Sequence, residues 1–156
     1  MKKFILLLCA LFFFSTQLFA QDLYEIKWTI EGTRYQAGVI VFNNSYGKAR
    51  VKYLNEGKYV MVEESLIYES KSMGFDLYGS KPVYPGTETK FPNYIADDFL
   101  ITAEADGTFT VICADEGGDG VRMQPQGTTI QKITNKKDQL LFLEKFDWKL
   151  KNTSTN

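Results

Sequence analysis

The chain has 156 residues, enough for one domain with its own core, and 24% of them are charged. Eighteen Lys and Arg stand against nineteen Asp and Glu, a net charge of −1, which gives no electrostatic basis for holding nucleic acid or an anionic membrane. There is no histidine at all, which excludes histidine-dependent catalytic triads and histidine-based zinc sites.

Lys2 and Lys3 precede an unbroken apolar block from Phe4 to Phe14, followed by Ser15-Thr16-Gln17 and Leu18-Phe19-Ala20. That order is a secretory signal peptide, so residues 1–20 are expected to be removed after Ala20, although Leu18 rather than a small residue stands three positions before the cut. Eleven apolar residues fall well short of the roughly 20 a spanning helix needs, so no membrane span is expected after processing. The expected destination is the periplasm, the outer surface or the medium. Cys9, preceded by Leu6-Leu7-Leu8, lacks the small neighbour that lipid attachment requires. Processing leaves sixteen basic against nineteen acidic side chains and a single cysteine, Cys113, so no internal disulfide is available. Cys113 lies in the apolar run Thr110–Ala114 and reads as core filler.

The remaining chain, taken as one β-rich domain over 21–151 with a polar tail at 152–156, opens on perfect alternation. Tyr24 to Ile30 places apolar and polar residues on opposite faces, which predicts a half-buried strand. Glu31-Gly32-Thr33 predicts a turn, and Arg34 to Phe42 a returning strand. Asn43 to Gly47 and Asn55-Glu56-Gly57 are rich in residues that accept left-handed backbone angles and predict hairpin loops around a strand at Lys48–Tyr53. Lys58–Val62 and Ser65–Glu69 form a fourth strand expected to bend or bulge at Glu63-Glu64. From Gly74 to Tyr94, Pro82, Pro85 and Pro92 predict an ordered loop after a short strand at Phe75–Tyr78. Asp98–Ala105 and Thr108–Ala114 flank the hairpin signal Asp106-Gly107. Val121–Gln124 and Thr128–Thr134 complete the strands. Asp138–Lys145 predicts a short helix with Gln139, Phe142, Leu143 and Phe146 on one face, while Phe146–Lys151 alternates and suits a closing strand equally well.

Turn signals every 8–12 residues point to a mainly β protein: a single antiparallel β-barrel or two-layer β-sandwich with a short C-terminal helix. The pattern resembles a lipocalin-type barrel in outline only. Two residues before Trp28 it carries Ile26, where that family has glycine. Such an outline implies no function.

The candidate ligand-binding residues are Tyr78, Tyr84, Phe91 and Tyr94, because rings on a proline-stiffened loop offer flat apolar surface with hydroxyl handles. The same rings serve equally well as a plug for an open barrel end. The acidic loop Asp115–Gly120 matches a calcium loop poorly, with Gly117 at a ligand position and Gln126 where a bidentate Glu is needed. No metal or cofactor is expected. Glu63-Glu64 and Asp97-Asp98 cannot each act as a catalytic couple, since adjacent strand residues face opposite ways. A couple drawn from distant residues stays open, with nothing in the sequence to choose it. The reading is an exported non-catalytic binding module for a small apolar or carbohydrate ligand, or alternatively a protein-interaction or structural module of the cell envelope. Its partner is thus an unknown small ligand or an envelope protein.

Overall fold

The computed structural model describes residues 21–116, 122–123 and 126–148. The expected signal segment, most of the acidic loop and the C-terminal tail lie outside the described residues. Nine antiparallel strands form one sheet: β1 (Gln21–Ile30), β2 (Thr33–Phe42), β3 (Tyr46–Asn55), β4 (Lys58–Lys71), β5 (Gly74–Val83), β6 (Asp97–Ala103), β7 (Phe109–Glu116), β8 (Arg122–Met123) and β9 (Gln126–Lys132). A helix, α1 (Lys136–Lys145), follows. The strands run as a meander from β1 to β8, and β9 then returns to the outer edge of β1. The sheet curls into a nearly closed barrel with β7 and β9 alongside each other at the seam. Of the two expected architectures, the barrel is the one formed.

Side-chain alternation builds the interior. Tyr24, Ile26 and Trp28 of β1 point inward with Val39, Val41, Val51, Leu77, Phe99, Ile101 and Cys113. Rings meet across the lumen, Trp28 against Phe99 at 5.6 Å and Tyr24 against Phe75 at 5.5 Å and Phe109 at 5.8 Å. Strands β1 and β6 are not sheet neighbours, so the Trp28–Phe99 contact spans the barrel and fills it with side chains. Each such buried side chain contributes about 1.5–3 kcal/mol.

The hairpins are tight where the sequence offers glycine. Glu31-Gly32 has φ of 48° and 80°, and Glu56-Gly57 has 47° and 77°. Paired left-handed angles of this kind match the twist of the flanking strands. β4 is one long strand whose register against β5 shifts between Glu63 and Ser65, at the bulge that Glu63-Glu64 predicts.

Two segments depart from the sequence reading. β5 extends through Pro82 to Val83 instead of ending near Tyr78. Its ladder with β6 stops at Tyr78, so the far half of β5 is an edge, where a missing N–H costs nothing. The β6–β7 connection is longer than the two-residue turn that Asp106-Gly107 predicts. It closes through Glu104 N–H to Thr108 O and Gly107 N–H to Glu104 O.

α1 lies on the outside of the barrel. Asn135 caps it, accepting the Lys137 N–H at 2.8 Å. Phe142 and Phe146 bury against Leu23, Ile40 and Ile133 on the outer wall. Gly38 makes this fit: a Cβ there would stand 2.4 Å from the Phe146 ring. The helix ends in a left-handed turn at Asp147 (φ 51°), with Asp147 N–H on Glu144 O and Trp148 N–H on Leu143 O. The closing strand that Phe146 onward suits equally well in sequence therefore does not form up to Trp148; the remainder lies outside the described residues.

Candidate functional site

The loop between β5 and β6 sits at the barrel end that also carries the β1–β2 and β3–β4 hairpins. Backbone bonds from Tyr84 to Thr89, Thr87 to Tyr84 and Phe91 to Pro82 hold it in a compact form. Three of the four candidate rings meet there, Tyr84 against Phe91 at 4.8 Å and Phe91 against Tyr94 at 6.1 Å. The row continues inward, with Tyr94 on Tyr53 at 5.8 Å, Tyr53 on Tyr35 at 5.1 Å and Tyr35 on Trp28 at 5.5 Å. Only Tyr84 of the three is exposed; Phe91 and Tyr94 are half-buried.

Tyr78 is elsewhere. It lies on the outer wall, its hydroxyl donating to Asp76 at 3.0 Å, in a cross-strand row with Ile67 and Tyr46. Phe42 stacks on Tyr46 at 4.9 Å, so an apolar stripe crosses β2 to β5.

Under the aromatic loop the fold joins one acid from each adjacent pair. Glu64 and Asp97 are buried inside the barrel, Glu64 Oε2 accepting the Asp97 backbone N–H at 3.0 Å and Tyr94 donating its hydroxyl to Asp97 Oδ2 at 2.6 Å. Burial, reinforced by the Asp97 charge, pushes the Tyr53 hydroxyl's pKa up. At 1% and 2% exposure these carboxyls are buried, and their bonds anchor the loop to the barrel. Their partners point outward: Glu63 binds Lys48 and Arg50, and Asp98 accepts the Gly79 N–H.

A concave feature lies on the outer wall at the same end. A cleft of about 420 Å³ is lined by Lys27, Thr29, Arg34, Gln36, Lys52, Tyr59 and Gly127, with Trp28 and Tyr35 behind them. Register explains it. Lys27, Gln36 and Lys52 are successive cross-strand partners, and Thr29 pairs with Arg34 in the next outward row. Tyr59, 74% exposed, lies beside Lys52, whose ammonium sits 4.7 Å from the ring centre. Gly127 (φ 64°) occupies an irregularity where β9 gains a residue against β1, and it brings no side chain to the cleft. Sequence spacing alone does not reveal these residues, because the cleft joins five strands, β1, β2, β3, β4 and β9. The readable signal is the pair of glycine hairpins at Gly32 and Gly57, from which the cross-strand rows follow by counting.

Glu25 closes the inner end of this wall, taking Lys27 at 2.8 Å, Lys145 at 3.0 Å and the Gln36 amide at 2.8 Å. Its burial opposes ionisation, but these three donors prevail and hold its pKa below the usual carboxylate range. No group of His, Cys, Asp and Glu among the described residues is arranged to hold a metal ion, and no helix among them is long and apolar enough to cross a membrane. Compared with known proteins, the chain matches no protein-family model, no curated protein and no solved structure, so its site is read from geometry alone.

Proposed function

We propose that the protein is an exported, non-catalytic binding module that takes a carbohydrate ligand on its outer wall. The observation that carries this reading is the division of space: rings from opposite strands fill the lumen, while the cleft beside Tyr59 has the volume and mixed lining of a small-ligand site. An exposed ring next to neutral and charged hydrogen-bonding groups suits the apolar face and hydroxyls of a sugar. The absence of histidine and the burial of Glu64 and Asp97 favour binding over catalysis. The signal-like N-terminus supports export.

Arrays of glycans and lipids probed with the processed chain test the proposal. Retention on a glycan, abolished by Tyr59→Ala with an unchanged circular dichroism spectrum, is the expected result. Retention on lipids that survives Tyr59→Ala, or retention on neither, would overturn it.

The stripe of Phe42, Tyr46, Ile67 and Tyr78 favours a second reading, docking on an envelope protein, because Tyr46 and Ile67 are 55% and 62% exposed. Ile67→Lys should then abolish cross-linking to that protein and leave glycan retention intact. Cross-linking that survives Ile67→Lys would count against it.

A further inference from the structure

The charge of the cleft narrows its ligand. Among the described residues Lys27, Arg34 and Lys52 line it and no Asp or Glu does, although acids outnumber bases over the whole chain. Among the described residues, Arg34 and Lys52 form no ion pair, whereas Lys27 is held by Glu25. A local positive field on a near-neutral protein selects for negative charge in what enters. β1, β2 and β3 are each paired on both sides, so their N–H groups are committed to ladders and offer no phosphate cradle. Recognition must come from side chains spread along the wall, with neighbouring strands about 4.8 Å apart. Arg34 offers a planar fork that matches a carboxylate, and Lys52 a point charge next to the Tyr59 ring. Thr29 and Gln36 add neutral donors and acceptors between the charges.

We infer that the cleft takes a uronate-bearing glycan, its carboxylate pairing with Arg34 and Lys52 while a sugar face lies on Tyr59. This rests on the reading of the cleft as a carbohydrate site and goes further in naming an acidic one. Calorimetric titration of the full processed chain with a short oligouronate, a neutral oligosaccharide of equal length and a sugar phosphate tests it. The oligouronate is expected to bind, to weaken as salt rises, and to exceed the neutral glycan about tenfold or more in affinity. Arg34→Gln and Lys52→Gln, both outside the core, should each weaken oligouronate binding about tenfold and narrow its margin over the neutral glycan. Equal binding of neutral and acidic glycans, both lost in Tyr59→Ala, would overturn the inference while sparing the carbohydrate reading. Tighter binding of the sugar phosphate, oligouronate binding indifferent to both charge variants, or no oligouronate binding would also overturn it.

Discussion

Arg50 illustrates how single side chains hold this barrel together. It sits on the outer wall of β3, 7% exposed, and its guanidinium meets Glu63 of β4 at 2.9 and 2.7 Å. The same group donates to the Phe146 carbonyl at 3.1 Å and to the Asp147 carbonyl, and lies 4.1 Å from the Trp148 ring centre. Glu63 in turn accepts Lys48 and the Gly86 N–H, so one ion pair joins two strands, the aromatic loop and the end of α1. Removing Arg50 would leave the buried Glu63 with only the more exposed Lys48 and the Gly86 N–H as partners. Arg50→Met should therefore cost about 3–5 kcal/mol in urea unfolding. Lysine at this position cannot reproduce the fork, so Arg50→Lys should recover only part of the loss. Burial alone would raise the Glu63 pKa, but its bonds to Lys48, Arg50 and Gly86 lower it below its ordinary 4.5. A carboxylate with a depressed folded pKa stabilises fully above the unfolded value and loses that contribution as pH falls through the folded one. Stability measured from pH 4.5 downward should thus fall, and fall less steeply in Glu63→Gln, whose amide has no proton to take up. A slope unaltered by that substitution would show that Glu63 is not the group responsible.

At the scale of elements, α1 is a short amphipathic cover whose position depends on a missing side chain. Gly38→Ala would place its Cβ 2.4 Å from the Phe146 ring, so either the ring or the helix must move. Overpacking of this kind should cost about 1–3 kcal/mol. Phe146→Ala should cost about 3–5 kcal/mol. Both losses belong in chemical unfolding curves, with the β signature in circular dichroism retained; an unaffected Gly38→Ala would show that the helix is not seated there. The helix was legible in the sequence because Phe142 and Phe146 recur at its own period among good helix formers. β1 was legible because one face is buried and the other wet, from Tyr24 to Trp28. The bulge in β4 was legible because two adjacent acids cannot both face a core without breaking register. β5 was misread because Pro82 forbids a central strand, and only the tertiary arrangement shows that this stretch is an edge. The cleft residues Arg34, Lys52 and Tyr59 looked like ordinary solvated strand positions. Their convergence is a property of register across β2, β3 and β4 and has no local signature. The aromatic loop was legible as a cluster for Tyr84, Phe91 and Tyr94, whereas Tyr78, on the outer face of β5, joins a different surface.

For the whole molecule, a meander that returns β9 to β1 creates an inside and an outside with different roles. The inside is taken up by Trp28, Phe99, Tyr24, Phe75 and their neighbours, and by the Glu64–Asp97 anchor of the loop. The outside carries the helix, the apolar stripe, whose Phe42 packs against the helix cluster, and the basic cleft. Any ligand that needs an empty lumen would have to displace rings in contact at 5.5–5.8 Å, so an apolar chain is disfavoured there. If binding belongs to the outer wall, nuclear magnetic resonance will place a ligand there and find the lumen undisturbed. Isotope-labelled processed protein would be titrated with a short oligouronate and, separately, with a medium-chain fatty acid. The oligouronate is expected to shift the signals of Lys27, Arg34, Lys52 and Tyr59, and the fatty acid to leave the lumen methyls of Ile26, Val39, Leu77 and Ile101 in place. Saturable shifts of those methyls with the fatty acid, and none in the cleft with the oligouronate, would contradict binding on the outer wall.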